Sequence, residues 1–339
     1  MAEQNVPPNF VRKVLIVTGI VALFFVALWI FKIIFNIFLL LLAGSLISLY
    51  FHGFANLIQR LTKWNRGLSM TISIVFTLIL IVGFFWFSGN RIQQQVSELQ
   101  ETLPSTIENF KQKIGQSSVG RQAIEKLSSE DNQKKFEQVL NTFFSSTFGL
   151  LGDVYVVLVL GLFFTASPST YKKGIVKLIQ KKSKPEAERL LTNIANTLTK
   201  WLKGQLFAML VVAVLTAIGL SILGMPMAFA LALIAGVLNF IPNFGPLIAM
   251  IPAVLIGLTV DTTTAILVAA LYIVVQIIES SFVTPQIQKK MINMPPALII
   301  IAQLFMGVLT GGWGLVLATP FVAIIIVVVQ QLYIEKTSA

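Results

Sequence analysis

The sequence of 339 residues contains no cysteine and a single histidine, His52. Disulfide frameworks and thiolate sites are therefore excluded, and one imidazole cannot build a histidine-rich metal site. Charge is also scarce, because Asp, Glu, Lys and Arg make up 12% of the chain, whereas soluble domains carry about 25%. The sequence has no G-x-x-x-x-G-K-[ST] phosphate loop, which argues against an ATP-driven pump.

Apolar residues dominate the chain. They make up 56% of it, and the mean hydropathy is +0.84. This composition predicts an all-α, polytopic membrane protein. The net charge of +11 could indicate nucleic-acid binding, but the basic residues lie in short segments between apolar runs. That is the positive-inside pattern, so we expect membrane lipid and not nucleic acid as a partner, and we expect no cofactor.

Apolar runs of spanning length predict about six full spans. They are Val14–Phe31, Ile33–Phe51, Leu68–Ser88, Phe143–Ala166, Gln205–Leu223 and Ala265–Val283. The first two are separated only by Lys32, where we predict a tight turn, because one helix through both would be about 57 Å long. Residues 1–13 are polar and end in two basic residues, which places the N-terminus in the cytoplasm.

The chain divides into four predicted parts. Residues 1–88 form a three-span segment, and residues 89–142 form an external amphipathic helical segment with balanced charge. Residues 143–203 hold the fourth span and a cytoplasmic loop, Ser167–Lys203, in which nine basic residues face two acidic ones. Residues 204–339 form a core with one or two broken helical hairpins.

The first broken segment is Gly224–Leu258. Pro242, Gly245 and Pro246 interrupt its middle. The halves would be about 24 and 18 Å long, and neither reaches the ~30 Å of a hydrocarbon core. Such a break predicts a re-entrant hairpin with its tip at a transport site.

A second interrupted segment covers residues 295–334. It is broken by Gly311, Gly312 and Gly314. This segment is either a hairpin that enters from the opposite side or a short helix followed by a full span.

Polar side chains at the first break are candidate ligands. An unpaired amide is costly in lipid, so Asn239 and Asn243 either cap the broken helices or contact a substrate or ion. The neighbouring Pro242, Gly245 and Pro246 would shape the break. Gln205, at the start of its span, is a secondary candidate, as are Asp153, Gly311, Gly312 and Gly314.

Glu279 is the sharper candidate for coupling. Gln276 precedes it by three residues and shares its helix face. An intramembrane carboxylate binds a proton more readily than one in water, so Glu279 could exchange a proton against substrate or cation. The alternative is an ion pair with Lys289 or Lys290. Asp153 could simply contact lipid headgroups.

The spacing around the first break resembles a known family. The chain reads Gly224-x-Pro226 and then Asn239-x-Ile241-Pro242-x-x-Gly245-Pro246, followed by IESSFVTPQIQ and GVLTGGWGLVLATP. In these motifs it is similar to the AI-2E transporter family. The resemblance implies a bacterial cytoplasmic-membrane protein that exports autoinducer-2 or exchanges cations for protons, and a homo-oligomer, with a pentamer as the suggested form.

Three rival classes remain beside a secondary transporter of a small molecule or ion. A channel would share most of these features, and a non-transporting scaffold or receptor could use residues 89–142 as its sensing part. An enzyme is not expected, because an intramembrane aspartyl protease needs two facing Asp residues and only Asp153 lies in a span.

Overall fold

The computed structural model describes residues 8–83, 152–288 and 294–335. Their helices are α1 Pro8–Thr62, α2 Arg66–Gly83, α3 Gly152–Ala166, α4 Pro168–Lys177, α5 Lys184–Ile222, α6 Ala228–Leu238, α7 Phe244–Val260, α8 Thr262–Ile278, α9 Thr284–Gln288, α10 Pro296–Thr310 and α11 Gly312–Val329. Two π-helical turns, Glu279–Val283 and Gln330–Ile334, follow α8 and α11. The predicted external segment 89–142 and the pair Lys289 and Lys290 lie outside the described residues.

The all-α membrane architecture is confirmed. Among the described residues, five helices are long and apolar enough to cross a bilayer, and the bent pair of α3 and α4 can add a sixth. These candidate membrane spans differ from the predicted ones in two ways. The first two predicted spans form one helix, and α11 with its π turn is a further candidate span of 23 residues.

The predicted turn at Lys32 is wrong, because α1 is one helix of 55 residues. It is about 82 Å long at 1.5 Å per residue. Its apolar run holds good helix formers, and no Gly or Pro lies between Gly19 and Gly44, so nothing in the sequence breaks it. Its second half packs on the other helices, as where Phe35 and Phe38 meet Phe321 of α11. Its first half exposes its apolar side chains in the single chain.

The predicted cytoplasmic loop, residues 167–203, is largely helical. It contains α4 and the first half of α5. Pro185 and Glu186 in the first turn of α5 are residues that favour a helix N-terminus, which explains why the helix starts well before the apolar run. The whole of α5 is 39 residues long, about 58 Å.

The first hairpin consists of α6 and α7, which pack against each other, while α6 also packs against α5 and α7 against α8. Its predicted break is confirmed but is shorter than expected, since it covers only residues 239–243. Gly245 and Pro246 lie instead in the first turn of α7. Proline is tolerated there because the first backbone N–H groups of a helix have no intrahelical partner.

The second interrupted segment is also a hairpin, in which α10 packs against α11. The break is Gly311 alone, with a φ of +69°, and Gly312 and Gly314 belong to the first turn of α11. A side chain at Gly314 would overlap the carbonyl of Met306, so the close approach of the two arms needs glycine there.

The long helix α5 joins two hydrophobic clusters. Its first half contributes Leu198, Trp201 and Leu202 to a core shared with α1, α3, α10 and α11. Its second half contributes Val212 and Leu220 to a core shared with α6, α7 and α8. The two hairpins are thus attached to successive halves of one helix, and the boundary between the clusters lies near Gln205.

The end of the second hairpin is tied to the first half of α5. The side-chain amide of Asn193 donates a hydrogen bond of 2.7 Å to Gln331 in the C-terminal π turn. The C-terminal π turn therefore lies beside the lysine-rich segment, residues 167–203. The first hairpin follows the opposite end of α5, so the two hairpins open toward opposite ends of this helix.

Candidate functional site: the tip of the first hairpin

The tip of the first hairpin, Asn239–Asn243, lies between α5 and α10. Two glutamine side chains donate to its backbone. Gln205 Nε2 on α5 donates to the carbonyl oxygen of Asn239 at 2.6 Å, and Gln303 Nε2 on α10 donates to that of Pro242 at 2.9 Å. A broken helix leaves carbonyls without their helical partner, and the Gln205 amide replaces the missing donor at Asn239. The carbonyl of Pro242 also accepts from the backbone N–H of Phe244 at 2.8 Å, so the Gln303 amide is its second donor.

The two asparagines at the tip do not cap the helices through their side chains. Asn243 precedes α7 at a φ of +67° without a capping bond, and its Nδ2 lies 3.4 Å from Gln303 Oε1. Asn239 is 2% exposed, and its Nδ2 is buried without a partner among the described residues. A buried unpaired donor costs about 1–3 kcal/mol, so this amide is suited to an oxygen of a ligand.

Close packing fixes the tip in place. A side chain at Gly245 would overlap the carbonyl of Leu238, so the two arms can approach only with glycine at this position. On the α5 side, the ring of Phe240 meets that of Trp201 edge to face with 5.6 Å between centroids. Trp201 is buried, so this contact anchors the tip to the point where the two hydrophobic clusters join.

Glu279 lies in a second polar group, at the start of the π turn after α8. Its carboxylate is buried and accepts hydrogen bonds from Thr284 Oγ1 at 2.8 Å and from Gln276 Nε2 at 3.3 Å. The predicted pairing of Gln276 with Glu279 on one face is therefore confirmed. The π turn inserts one extra residue into the helix, which brings Thr284 to the same carboxylate as Gln276.

The polar face of α8 continues toward the start of the helix. Tyr272, Gln276 and Glu279 follow one another at helical spacing. The hydroxyl of Tyr272 and Oε1 of Gln276 are buried without partners among the described residues. Helix α8 and the π turn both pack against α5. The polar atoms thus form a row along one side of an otherwise apolar helix.

Asp153 belongs to a third group, at the turn of the second hairpin. Trp313 Nε1 donates a hydrogen bond of 2.7 Å to Asp153 Oδ2. Trp313 stands between Gly312 and Gly314, so the bond fastens the start of α11 to α3. Asp153 therefore contacts the hairpin turn and is not simply at the lipid surface.

The structure brings some of the predicted residues together and keeps others apart. Gln205, Asn239, Pro242 and Asn243 form one group, whereas Glu279 and Asp153 belong to the two others. Within the described residues, no hydrogen bond joins the three groups.

Gln303 is the residue that sequence reasoning missed. It is fully buried and contacts both Pro242 and Asn243. The signal was present, because Gln303 is the one amide within the apolar run of α10. The cost of an unpaired amide in lipid, which pointed to Asn239, applies equally to it.

Comparison with known proteins decides the family. The sequence profile of the AI-2E family transporters matches residues 19–334. The chain belongs to the AI-2E transporter family. It is therefore a multi-pass membrane transporter, as the motifs around the first hairpin predict.

Curated relatives agree with this membership of the AI-2E family. The chain is 24% identical to YueF of Bacillus subtilis, named as a candidate transport protein, over 84% of this chain and 81% of that one. It is 20% identical to the AI-2 transport protein TqsA of Escherichia coli K12, over 81% of each chain. YrrI of Bacillus subtilis, also named as a candidate transport protein, is 32% identical over 45% of this chain and 44% of its own length.

Proposed function

We propose that this AI-2E family protein is a secondary transporter in the bacterial cytoplasmic membrane. It moves a small hydrophilic solute, of the kind that the name of TqsA indicates, or a cation, and it couples this movement to protons. The observation that carries the proposal is the unpaired, buried Nδ2 of Asn239 at a hairpin tip. Such a group favours binding of a polar ligand over a purely structural role.

The tip offers a means of alternating between two arrangements. Gln205 and Gln303 are bonded to backbone carbonyls of the tip, and the same amides could bond to a solute instead. Because α5 and α10 each supply one amide, a solute at the tip would contact both hairpins and α5. Movement of one hairpin past the other would then expose the solute to one side at a time.

Glu279 is the proposed proton-exchanging group. No described Lys or Arg forms an ion pair with it, and its neighbours Gln276 and Thr284 are neutral. A buried carboxylate without a counter-ion is costly, so it binds a proton or a cation in the membrane interior. Glu279 directly follows α8, and α8 packs on α5, to which the hairpin tip is also bonded. Helix α5 would therefore couple proton exchange at Glu279 to solute binding at the tip.

The orientation follows from charge. The lysine-rich segment lies in the cytoplasm by the positive-inside rule, and the C-terminal π turn lies beside it through the bond of Asn193 to Gln331. The cytoplasmic N-terminus is predicted from Arg12 and Lys13, but α1 has no turn at Lys32, so these residues and the basic residues around 60–66 lie at opposite ends of one helix. Labelling of the variant Gln4→Cys, in a chain without native cysteine, decides which side the N-terminus occupies.

The homo-oligomer remains a prediction, and cross-linking in membranes is its test.

The proposed function is tested by uptake into proteoliposomes, with and without a pH gradient, of autoinducer-2, other small polar solutes and sodium. The variant Asn239→Leu should lower uptake, and Glu279→Gln should remove its dependence on the gradient. Asn36→Leu is the matched amide control, because Oδ1 of Asn36 is likewise buried without a partner but lies on α1.

Asp261→Asn is the matched carboxylate control. Asp261 is an exposed cap of α8 that accepts bonds from the backbone N–H and hydroxyl of Thr264. These bonds lower the pKa of Asp261, and asparagine can keep the cap.

Each rival function predicts a different result in the same vesicles. A sustained current that does not depend on a coupling gradient would indicate a channel, and the absence of flux for every solute would favour a scaffold or receptor. Uptake that keeps its wild-type rate and pH dependence in Asn239→Leu and Glu279→Gln would refute the proposed site.

A further inference from the structure

The short helix α4 leaves the end of α3 at a right angle. The two axes differ by 89°, and only Ser167 separates the helices. Since α3 is apolar and exposes Phe163 to the surroundings, a helix at right angles to its end lies along the membrane surface. Phe164 of α3 and Tyr171 of α4 stabilise the corner through an edge-on ring contact of 4.7 Å.

One face of α4 is apolar and exposed. Tyr171 and Ile175 on α4 and its C-cap residue Leu178 lie at helical spacing and are 41%, 49% and 89% exposed. Tyr171 is also the residue that contacts Phe164, so this face is turned toward the membrane helix α3. We name these three residues the apolar stripe of α4.

A second face of α4 is docked on the protein. Val176 is buried, and Lys172 Nζ donates a hydrogen bond of 2.8 Å to Thr192 Oγ1 on α5. This docking fixes the rotation of α4 about its axis. The apolar stripe is therefore held outward, and α4 cannot turn it into the protein without breaking these contacts.

The surrounding segment carries a dense positive charge. Residues 168–184 contain six lysines and no acidic residue, namely Lys172, Lys173, Lys177, Lys181, Lys182 and Lys184. Lys172, Lys173 and Lys177 lie on α4, and Lys181, Lys182 and Lys184 follow it within seven residues. By helical spacing, Lys173 and Lys177 project away from the apolar stripe. The segment lies on the side that the positive-inside rule assigns to the cytoplasm.

We propose that α4 is an interfacial helix that binds the anionic surface of the cytoplasmic leaflet. The apolar stripe enters the boundary between headgroups and acyl chains, while the lysines interact with lipid phosphates. Charge complementarity favours this partner, because the cytoplasmic leaflet is negatively charged and attracts basic segments next to a membrane helix. A right-angled helix with one apolar and one basic side fits a flat anionic surface.

The test uses single cysteines carrying the fluorophore NBD in vesicles of phosphatidylglycerol and phosphatidylcholine. Labels at Ile175→Cys and Leu178→Cys should emit at shorter wavelength and be quenched by doxyl groups on the acyl chains. A label at Lys173→Cys, on the opposite side of the same helix, should remain accessible to iodide in water. Equal iodide quenching at all three positions would place α4 in water and overturn the proposal.

A charge series tests the anionic part of the proposal. With the label at Leu178→Cys, the quadruple change of Lys173, Lys177, Lys181 and Lys182 to Gln should require at least about fivefold more phosphatidylglycerol for the same shift. The matched control is Arg60→Gln with Arg66→Gln, which removes basic residues from the turn between α1 and α2.

Two results of the charge series would contradict lipid binding by α4. An equal loss in the arginine control would mean diffuse charge attraction. A shift that ignores phosphatidylglycerol and follows protein density would mean that a second copy covers the apolar stripe. Neither measurement depends on solute flux, so failure here is distinguishable from failure of the proposed function.

Discussion

Replacing Gln303 by leucine tests whether the hairpin tip is the site. The two side chains are similar in size, but leucine cannot donate to Pro242 or accept from Asn243. The bond to Pro242 is 2.9 Å long and partly buried, whereas the contact with Asn243 at 3.4 Å is long and contributes little. The main loss is therefore one of the two donors to this carbonyl, because the backbone N–H of Phe244 still donates to it at 2.8 Å.

The expected size of the effect follows from that carbonyl. Losing one hydrogen bond at a carbonyl that keeps a second costs about 0.5–1.5 kcal/mol, and about 1.4 kcal/mol is a tenfold change in an equilibrium constant. If the cost falls on the tip conformation that binds solute, the apparent KM for uptake should rise by about 2- to 12-fold. The assay is uptake by proteoliposomes, with the amount of folded protein measured by size-exclusion chromatography.

The matched control is Gln331→Leu. Gln331 is also a buried amide of the second hairpin, and it loses one side-chain hydrogen bond, that to Asn193. It lies at the far end of α11 from the hairpin turn, so its loss should lower thermal stability without raising KM. Wild-type KM in Gln303→Leu, or an equal rise in both variants, would refute the reasoning.

Two further substitutions test packing and can be read as thermal stability in detergent. Gly245→Ala should lower the free energy of unfolding by about 1–3 kcal/mol, because its methyl group would overlap a carbonyl of the opposite arm. The control Gly174→Ala meets nothing within 4 Å and should raise the free energy of unfolding by about 0.5–1 kcal/mol. Similar values for the two alanines would contradict the close approach at the tip. Trp313→Phe removes the hydrogen bond to Asp153 and should lower the free energy of unfolding by about 1.5 kcal/mol. The control Trp64→Phe, at an exposed site, should change stability little. Equal losses in the two variants would mean that the bond does not fasten the hairpin.

The breaks in the two hairpins were predictable because proline and glycine act locally. Pro242 stops a helix wherever it stands inside one, and a φ above zero at Gly311 needs no distant partner. The exact extent of the first break was not predictable. Gly245 and Pro246 are tolerated in the first turn of α7, and where that turn begins depends on contacts with α5 and α10.

The turn predicted at Lys32 shows the limit of length arguments. A total apolar length of two spans indicated two helices, but the chain has no local signal there that ends a helix. Lys32 is compatible with a continuous helix, because lysine has a high helix propensity and a long stem that can lie along apolar surface. Length alone therefore did not decide the number of helices.

The sequence by itself determined the class of the protein, the positions of both breaks and the pairing of Gln276 with Glu279, because these depend on composition and on spacing along one helix. Only the tertiary structure decided which polar groups meet across helices. Gln205 and Gln303 lie nearly 100 residues apart in the chain, about 150 Å of helical rise, yet both reach one hairpin tip. Such contacts depend on how helices pack in three dimensions, and no periodicity within a single helix encodes them.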